Sequence, residues 1–248
     1  MAGEKKPRVK LVRLLVLFGL AYLVIWAGAV AVTHVMVWHD VRTHLREHPE
    51  ARLVPQPLTD LKIDDLKAGV AIEQYGCTLH VPWPKVLDQK KMKSMTLVTF
   101  SDGGTVMMSD PASSAELFSL TLGKTAQEKA NMQALYGLRT LSSNYELTSA
   151  QMQETGDEVS LFQSTMKNTR AMLLLMLKPT YSKATVIYSL SAGRLRGFQI
   201  GDPATPIQLL LFDDKDRELH LWIRGPKTGP GLTQEQVNGI VASVQMPA

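Results

Sequence analysis

The sequence predicts an α+β protein: one N-terminal transmembrane helix, then a domain whose mainly antiparallel sheet of about seven strands is packed by helices. Three observations predict it. Residues 14–38 form an apolar run without Lys, Arg, Asp or Glu. Segments with period-two alternation cluster at the two ends of the remaining chain and are joined by turns short enough for hairpins. Segments of helical periodicity lie between them and at the C-terminus.

The apolar run has 25 residues. At about 1.5 Å per residue it exceeds the roughly 30 Å hydrocarbon thickness of a bilayer. Backbone in lipid must satisfy its own hydrogen bonds, so the run is expected as a helix, with Trp38 as an interfacial anchor. A cleaved signal peptide is the rival reading, with Ala27-Gly28-Ala29 as a small-residue cleavage site. Signal h-regions run about 7–15 residues, and this one continues past that site, which favours an uncleaved anchor. Five of the 27 basic residues (Lys5, Lys6, Arg8, Lys10 and Arg13) and one of the 23 acidic ones lie in residues 1–13. The net charge of +4 thus belongs to the tail, and the rest balances at 22 against 22. The positive-inside bias expects the tail, 1–13, in the cytoplasm and the domain on the far side, periplasmic or external in a bacterium. The neutral balance beyond the tail lends no support to nucleic acid as a partner.

Residues 39–58 are expected as a juxtamembrane helix and a linker containing Pro49, Pro55 and Pro57, with the domain spanning 59–248. Tyr75 to Trp83 alternates as a half-buried strand. Two strands flank Ser101-Asp102-Gly103-Gly104, two flank Ala192-Gly193, and two flank the turn Asp213-Asp214-Lys215-Asp216. In the middle, Asp110-Pro111 reads as a helix start, and Thr125 with Glu128 as a capping box. Residues 157–177 read as the main soluble helix, with Val159, Phe162, Met166, Leu173, Met176 and Leu177 forming a core-facing stripe. Thr233 with Gln236 caps a last helix that buries Val237, Ile240, Val241 and Val244. The single cysteine, Cys77, excludes an intrachain disulfide and is expected as a buried thiol.

The opening strand ending in Pro82-Trp83, and the last strand, 219–223, followed by Leu232-Thr233-Gln234-Glu235-Gln236-Val237, resemble the PsbP-like family of extracytoplasmic α/β/α sandwich domains. The resemblance covers about half of the domain. It implies a non-catalytic accessory or assembly module.

Candidate chemistry is sparse. His44, Glu47 and His48 fit H-x-x-E-H, with Asp40 one turn earlier on the same face; His44, His48 and Asp40 are the candidate metal ligands, weighed against a solvated juxtamembrane helix. The acidic run from Asp213 to Glu218 lacks the glycine turn of a calcium loop and reads as a charged hairpin. His80 and His220 fall at alternating strand positions, and the methionines near 166–176 read as core packing. Arg194, Arg196 and Phe198 project from one face of a strand, where two guanidiniums and an aromatic ring would suit an anionic or peptide ligand. Neither a nucleophile elbow nor a glycine-rich phosphate loop occurs in the sequence, and no cofactor is expected. The leading expectation is therefore a membrane-anchored, non-catalytic extracytoplasmic domain that binds a protein or envelope component. The alternatives are an envelope metal-dependent hydrolase and a small-molecule binding module.

Overall fold

The computed structural model describes residues 6–58, 66, 69–111, 125–136, 143–181, 183–227 and 231–247. The expected helix start at Asp110-Pro111 runs on into residues outside that set. Helix α1 spans Lys6–Glu47 in 42 residues and includes the apolar run. It is long and apolar enough to cross a membrane. All side chains from residues 17–33 are exposed. Further on, Val37, Val41 and Leu45, spaced four apart, bury one stripe into the domain.

The domain is built on an eight-stranded sheet. Its strands are β1 (Pro55–Pro57), β4 (Val86–Lys91), β5 (Met95–Phe100), β6 (Thr105–Ser109), β7 (Ile187–Ala192), β8 (Leu195–Ile200), β9 (Ile207–Phe212) and β10 (Glu218–Arg224). The spatial order is β1-β7-β8-β9-β10-β6-β5-β4, antiparallel throughout except for the parallel pair β1 and β7. A separate hairpin, β2 (Val70–Gln74) with β3 (Cys77–Val81), forms a second sheet. The α+β class with a mainly antiparallel sheet is therefore observed, with strands at both edges that the sequence does not announce.

The strands β1, β2 and β4 are not expected from the sequence, and for the two at the sheet edges there is a physical reason. β1 is the segment read as linker: Leu58 donates to the Ser189 carbonyl, and Pro55 pairs with Ile187. Proline lacks an N–H, so Pro55 and Pro57 fit only at an edge, where they also deter a further strand from pairing. β4, at the other edge, carries Asp88, Lys90 and Lys91, and all its residues beyond Val86 are exposed. Such charges protect an edge but erase the alternation that marks a strand. Tyr75 does not open a strand: with φ of 54° and 73°, Tyr75 and Gly76 form the two-residue turn of the β2–β3 hairpin.

Two cores cover the two faces. On one, Phe100, Met108, Ile207, Leu209, Leu211 and Leu221 pack against the β2–β3 hairpin and against α5, Gln234–Ser243, through Val237, Ile240 and Val241. The Thr233–Gln236 capping box is present in both directions, as the spacing predicts. An amide pair locks this helix down, with the buried Gln199 and the half-buried Gln234 donating to one another at 2.9 Å. On the other face Ile187, Phe198, Ile200, Leu210 and Phe212 meet Met152 of α3, Asn144–Gln153. Cys77 is buried, and burial raises its thiol to about 11, so it is unreactive at neutral pH.

Helix α2, Ala126–Tyr136, starts with the expected Thr125–Glu128 box. The main soluble helix departs from expectation. Helix α4 spans only Thr165–Met176, because the Ser164 side chain accepts from the Lys167 amide and caps it there. Residues before it are turns, so the predicted stripe is broken: Val159 is buried, but Phe162 is fully exposed, and Met166, Met176 and Leu177 are exposed too. The buried residues of α4 are Asn168, Ala171, Leu174 and Leu175. What they cover includes α1: Val41, Leu45, Val159, Ala171 and Leu175 make a third cluster.

The turn after β9 clamps α3. Asp216, at φ 59°, accepts from the Asn144 amide at 2.5 Å and the Tyr145 amide at 3.2 Å. A carboxylate here satisfies orphan amides and favours the helix dipole. Asp216→Ala is expected to lose about 1–2 kcal/mol of stability in urea unfolding through the cap. Asp216→Gly should lose less than Ala, because glycine adopts the left-handed backbone without penalty. Equal stabilities for both variants and the parent would refute the clamp.

Candidate functional site: a cleft at the far end of the sheet

The β7–β8 turn at Gly193-Arg194, the β9–β10 turn and the C-terminal segment enclose a cleft of about 470 Å³. Ala192, Val244 and Met246 supply apolar wall, while Arg194, Asp214 and Lys215 bring charge. β7 enters the sheet at Ile187 opposite Pro55, where the chain arrives from α1, and leaves it at Ala192. The cleft thus lies about 17 Å along β7 from the end where the chain arrives from α1.

Its floor is rigid because one carboxylate orders the β9–β10 turn. Asp213 accepts from the Lys215 and Arg217 amides at 3.0 and 2.8 Å and from Arg217 Nε at 2.7 Å. Arg217 Nη2 also donates to the Pro247 carbonyl, tying the C-terminal segment to the turn. The Thr78–Gln245 backbone bridge holds the same segment from the other side, with bonds of 2.9 and 2.8 Å. The acidic run is thereby a structured hairpin whose Asp213 is already fully engaged.

The three residues expected to share a ligand-binding face are separated. Arg194 alone lines the cleft. Arg196 lies on the sheet's other side, its guanidinium 4.1 Å from the centre of the Tyr145 ring, a cation–π contact. Phe198 is buried, stacked 5.7 Å from Tyr145 within the second core. A ligand cannot reach it. The reason is that helix α3 covers this part of the sheet, so the outward face implied by the arginines is a second interior face.

His44 and His48 do come together, with ring centres 4.8 Å apart, and His48 Nδ1 lies 3.3 Å from the Glu50 carboxylate. They border a 270 Å³ cavity with Leu175, Lys178 and Tyr181. Burial, and secondly the charge of His48, lowers the pKa of His44. Asp40 is exposed. Among the described residues no group of three or more His, Cys, Asp or Glu side chains could hold a metal ion. The dominant group in this cavity is a cation, Lys178, whose ammonium donates to the carbonyls of Ala51, Leu53 and Glu154 at 2.8, 2.6 and 2.7 Å. Nothing in sequence periodicity points to it. His220 bonds to Glu218, while His80 lies under α5, its backbone amide donating to Ser243 Oγ at 2.9 Å.

No family model, no curated protein and no solved structure matches this chain.

Proposed function

We propose that this protein is a single-pass membrane protein with a cytoplasmic N-terminus, whose non-catalytic extracytoplasmic domain binds a protein or envelope component in the cleft beside Arg194. The observation that carries the reading is the placement of that cleft: it opens at the end of β7 opposite the arrival of the anchor helix. A tether at one end and a preformed, mixed apolar and charged recess at the other suit a module that presents a site to the compartment around it. The resemblance to PsbP-like accessory domains points the same way. A small-molecule ligand is the second reading, because the volume falls within the range of about 300–1,000 Å³ typical of such sites.

The inert Cys77 makes a clean test available, since an introduced cysteine is then the reactive thiol. Arg194→Cys in the full chain should label with a membrane-impermeant maleimide without lysis of the cytoplasmic membrane; labelling only after lysis would overturn the orientation. A benzophenone coupled there should give a discrete macromolecular adduct in native membranes, and one at Gln89→Cys on the charged edge strand should not. Equal adducts at both positions, or none at 194, would overturn the cleft as a macromolecular site.

A further inference from the structure

We infer that the segment from Ser160 to Met166 is a second membrane contact, an apolar fingertip that enters the outer leaflet beside α1 and fixes the domain's height on the bilayer. The inference rests on the reading of α1 as a membrane span.

Contact between α1 and the domain begins inside the apolar run. His34, four residues before Trp38, bonds through Nδ1 to Thr165 Oγ1 at 3.1 Å, and its Nε2 lies 3.3 Å from the Ser160 carbonyl. Ten residues on, His44 borders the same cavity as Leu175, which is ten residues after Thr165. The two helices therefore run parallel and in step, and the N-terminus of α4 points back toward the membrane. At 1.5 Å per residue, His34 lies about 6 Å below the end of the apolar run. The turn that precedes α4 reaches at least that depth.

The composition of this turn matches its position. Phe162 is fully exposed, with Leu161 and Met166 at 46% and 61%. A phenylalanine with no protein contact on any side is costly in water and favourable in acyl chains. Part of the segment's polar atoms are meanwhile paired within the protein, as lipid favours. Asn168, itself buried, donates to the Ser160 carbonyl at 2.8 Å, and His34 uses Thr165. This also accounts for a histidine in an otherwise apolar span, since intramembrane polar side chains pair within the protein. In register with α1, Lys167 and Arg170 fall near the height of Trp38, where cationic side chains meet headgroup phosphates.

The test uses the full chain in phosphatidylcholine–phosphatidylglycerol vesicles, with an environment-sensitive fluorophore on one introduced cysteine and lipids carrying a nitroxide at a shallow acyl position. Phe162→Cys should be quenched at least half as strongly as Val35→Cys, an exposed position of α1 at similar depth. Leu87→Cys, exposed on β4, should stay unquenched. Quenching at 35 with residue 162 behaving like residue 87 would overturn the fingertip and leave the anchor standing, and would point to a protein partner on Phe162 instead. Absence of quenching at 35 would overturn the span and the fingertip together. Because Phe162 is fully exposed, its replacement should leave the unfolding transition in detergent unchanged; a lowered transition would also count against the proposal.

Discussion

Phe198→Ala is expected to destabilise the domain by about 3–5 kcal/mol, through lost burial and the cavity left behind. Phe198 is 1% exposed, stacks on Tyr145 and shares its core with Phe212, Ile200 and Met152. That loss is comparable to the stability of many single domains, so the variant is expected to be poorly folded at 37 °C. Arg194→Ala, on the exposed β7–β8 turn, should stay within about 0.5 kcal/mol. Urea unfolding of the two variants separates a core role from a surface role. Near-neutral effects at both positions would restore Phe198 to a ligand-facing surface and would contradict α3 as the cover of that face.

Lys178→Met is expected to cost about 3 kcal/mol at pH 7. Removing the ammonium leaves the carbonyls of Ala51, Leu53 and Glu154 without their donor, at about 1–3 kcal/mol for each that water does not reach. Relief of the buried charge offsets part of this. Burial lowers the Lys178 pKa to about 8, with Glu154 opposing the shift. The unfolded value is near 10.4. Between those two pH values the unfolded chain carries more of this proton than the folded one, so Lys178 makes stability rise as pH increases from about 8 to about 10. Unfolding free energies measured across that interval should show the rise in the parent and lose this component in Lys178→Met. A variant as stable as the parent at pH 7 would show that the three carbonyls find water, and that Lys178 does not join the segment after α1 to α3 and α4.

Much of the fold is legible locally because its causes are local. The Thr125–Glu128 and Thr233–Gln236 boxes need only a hydroxyl and a carboxylate or amide three residues apart, and both form. The hairpin turns at 101–104, 193–194 (one residue on from the expected Ala192-Gly193) and 213–216 rest on glycine and aspartate chemistry within a few residues. The stripe over 157–177 failed for a competing local reason. Ser164 offers a cap in mid-segment, and the sequence periodicity counts apolar side chains without knowing that the backbone restarts there. Of the candidate residues, the sequence singles out Arg194 as one of a strand face with Arg196 and Phe198, and of these it alone lines the cleft; it does not single out Lys178, Tyr145 or Asp216, because each acts on backbone or rings that only the tertiary fold brings beside it.

By itself, then, the amino-acid sequence determined the apolar N-terminal helix, the α+β class, the antiparallel hairpins, the capped ends of α2 and α5, and the burial of Cys77. All follow from periodicity, composition or contacts within one turn. Tertiary structure alone decided that Pro55–Pro57 joins the sheet, that Phe198 faces α3, that α4 packs on α1 through Val41 and Leu45, and that Phe162 stays outside. Those outcomes depend on which face a distant segment comes to cover. A side chain's sequence neighbours do not encode that; the burial it gains when remote elements meet does.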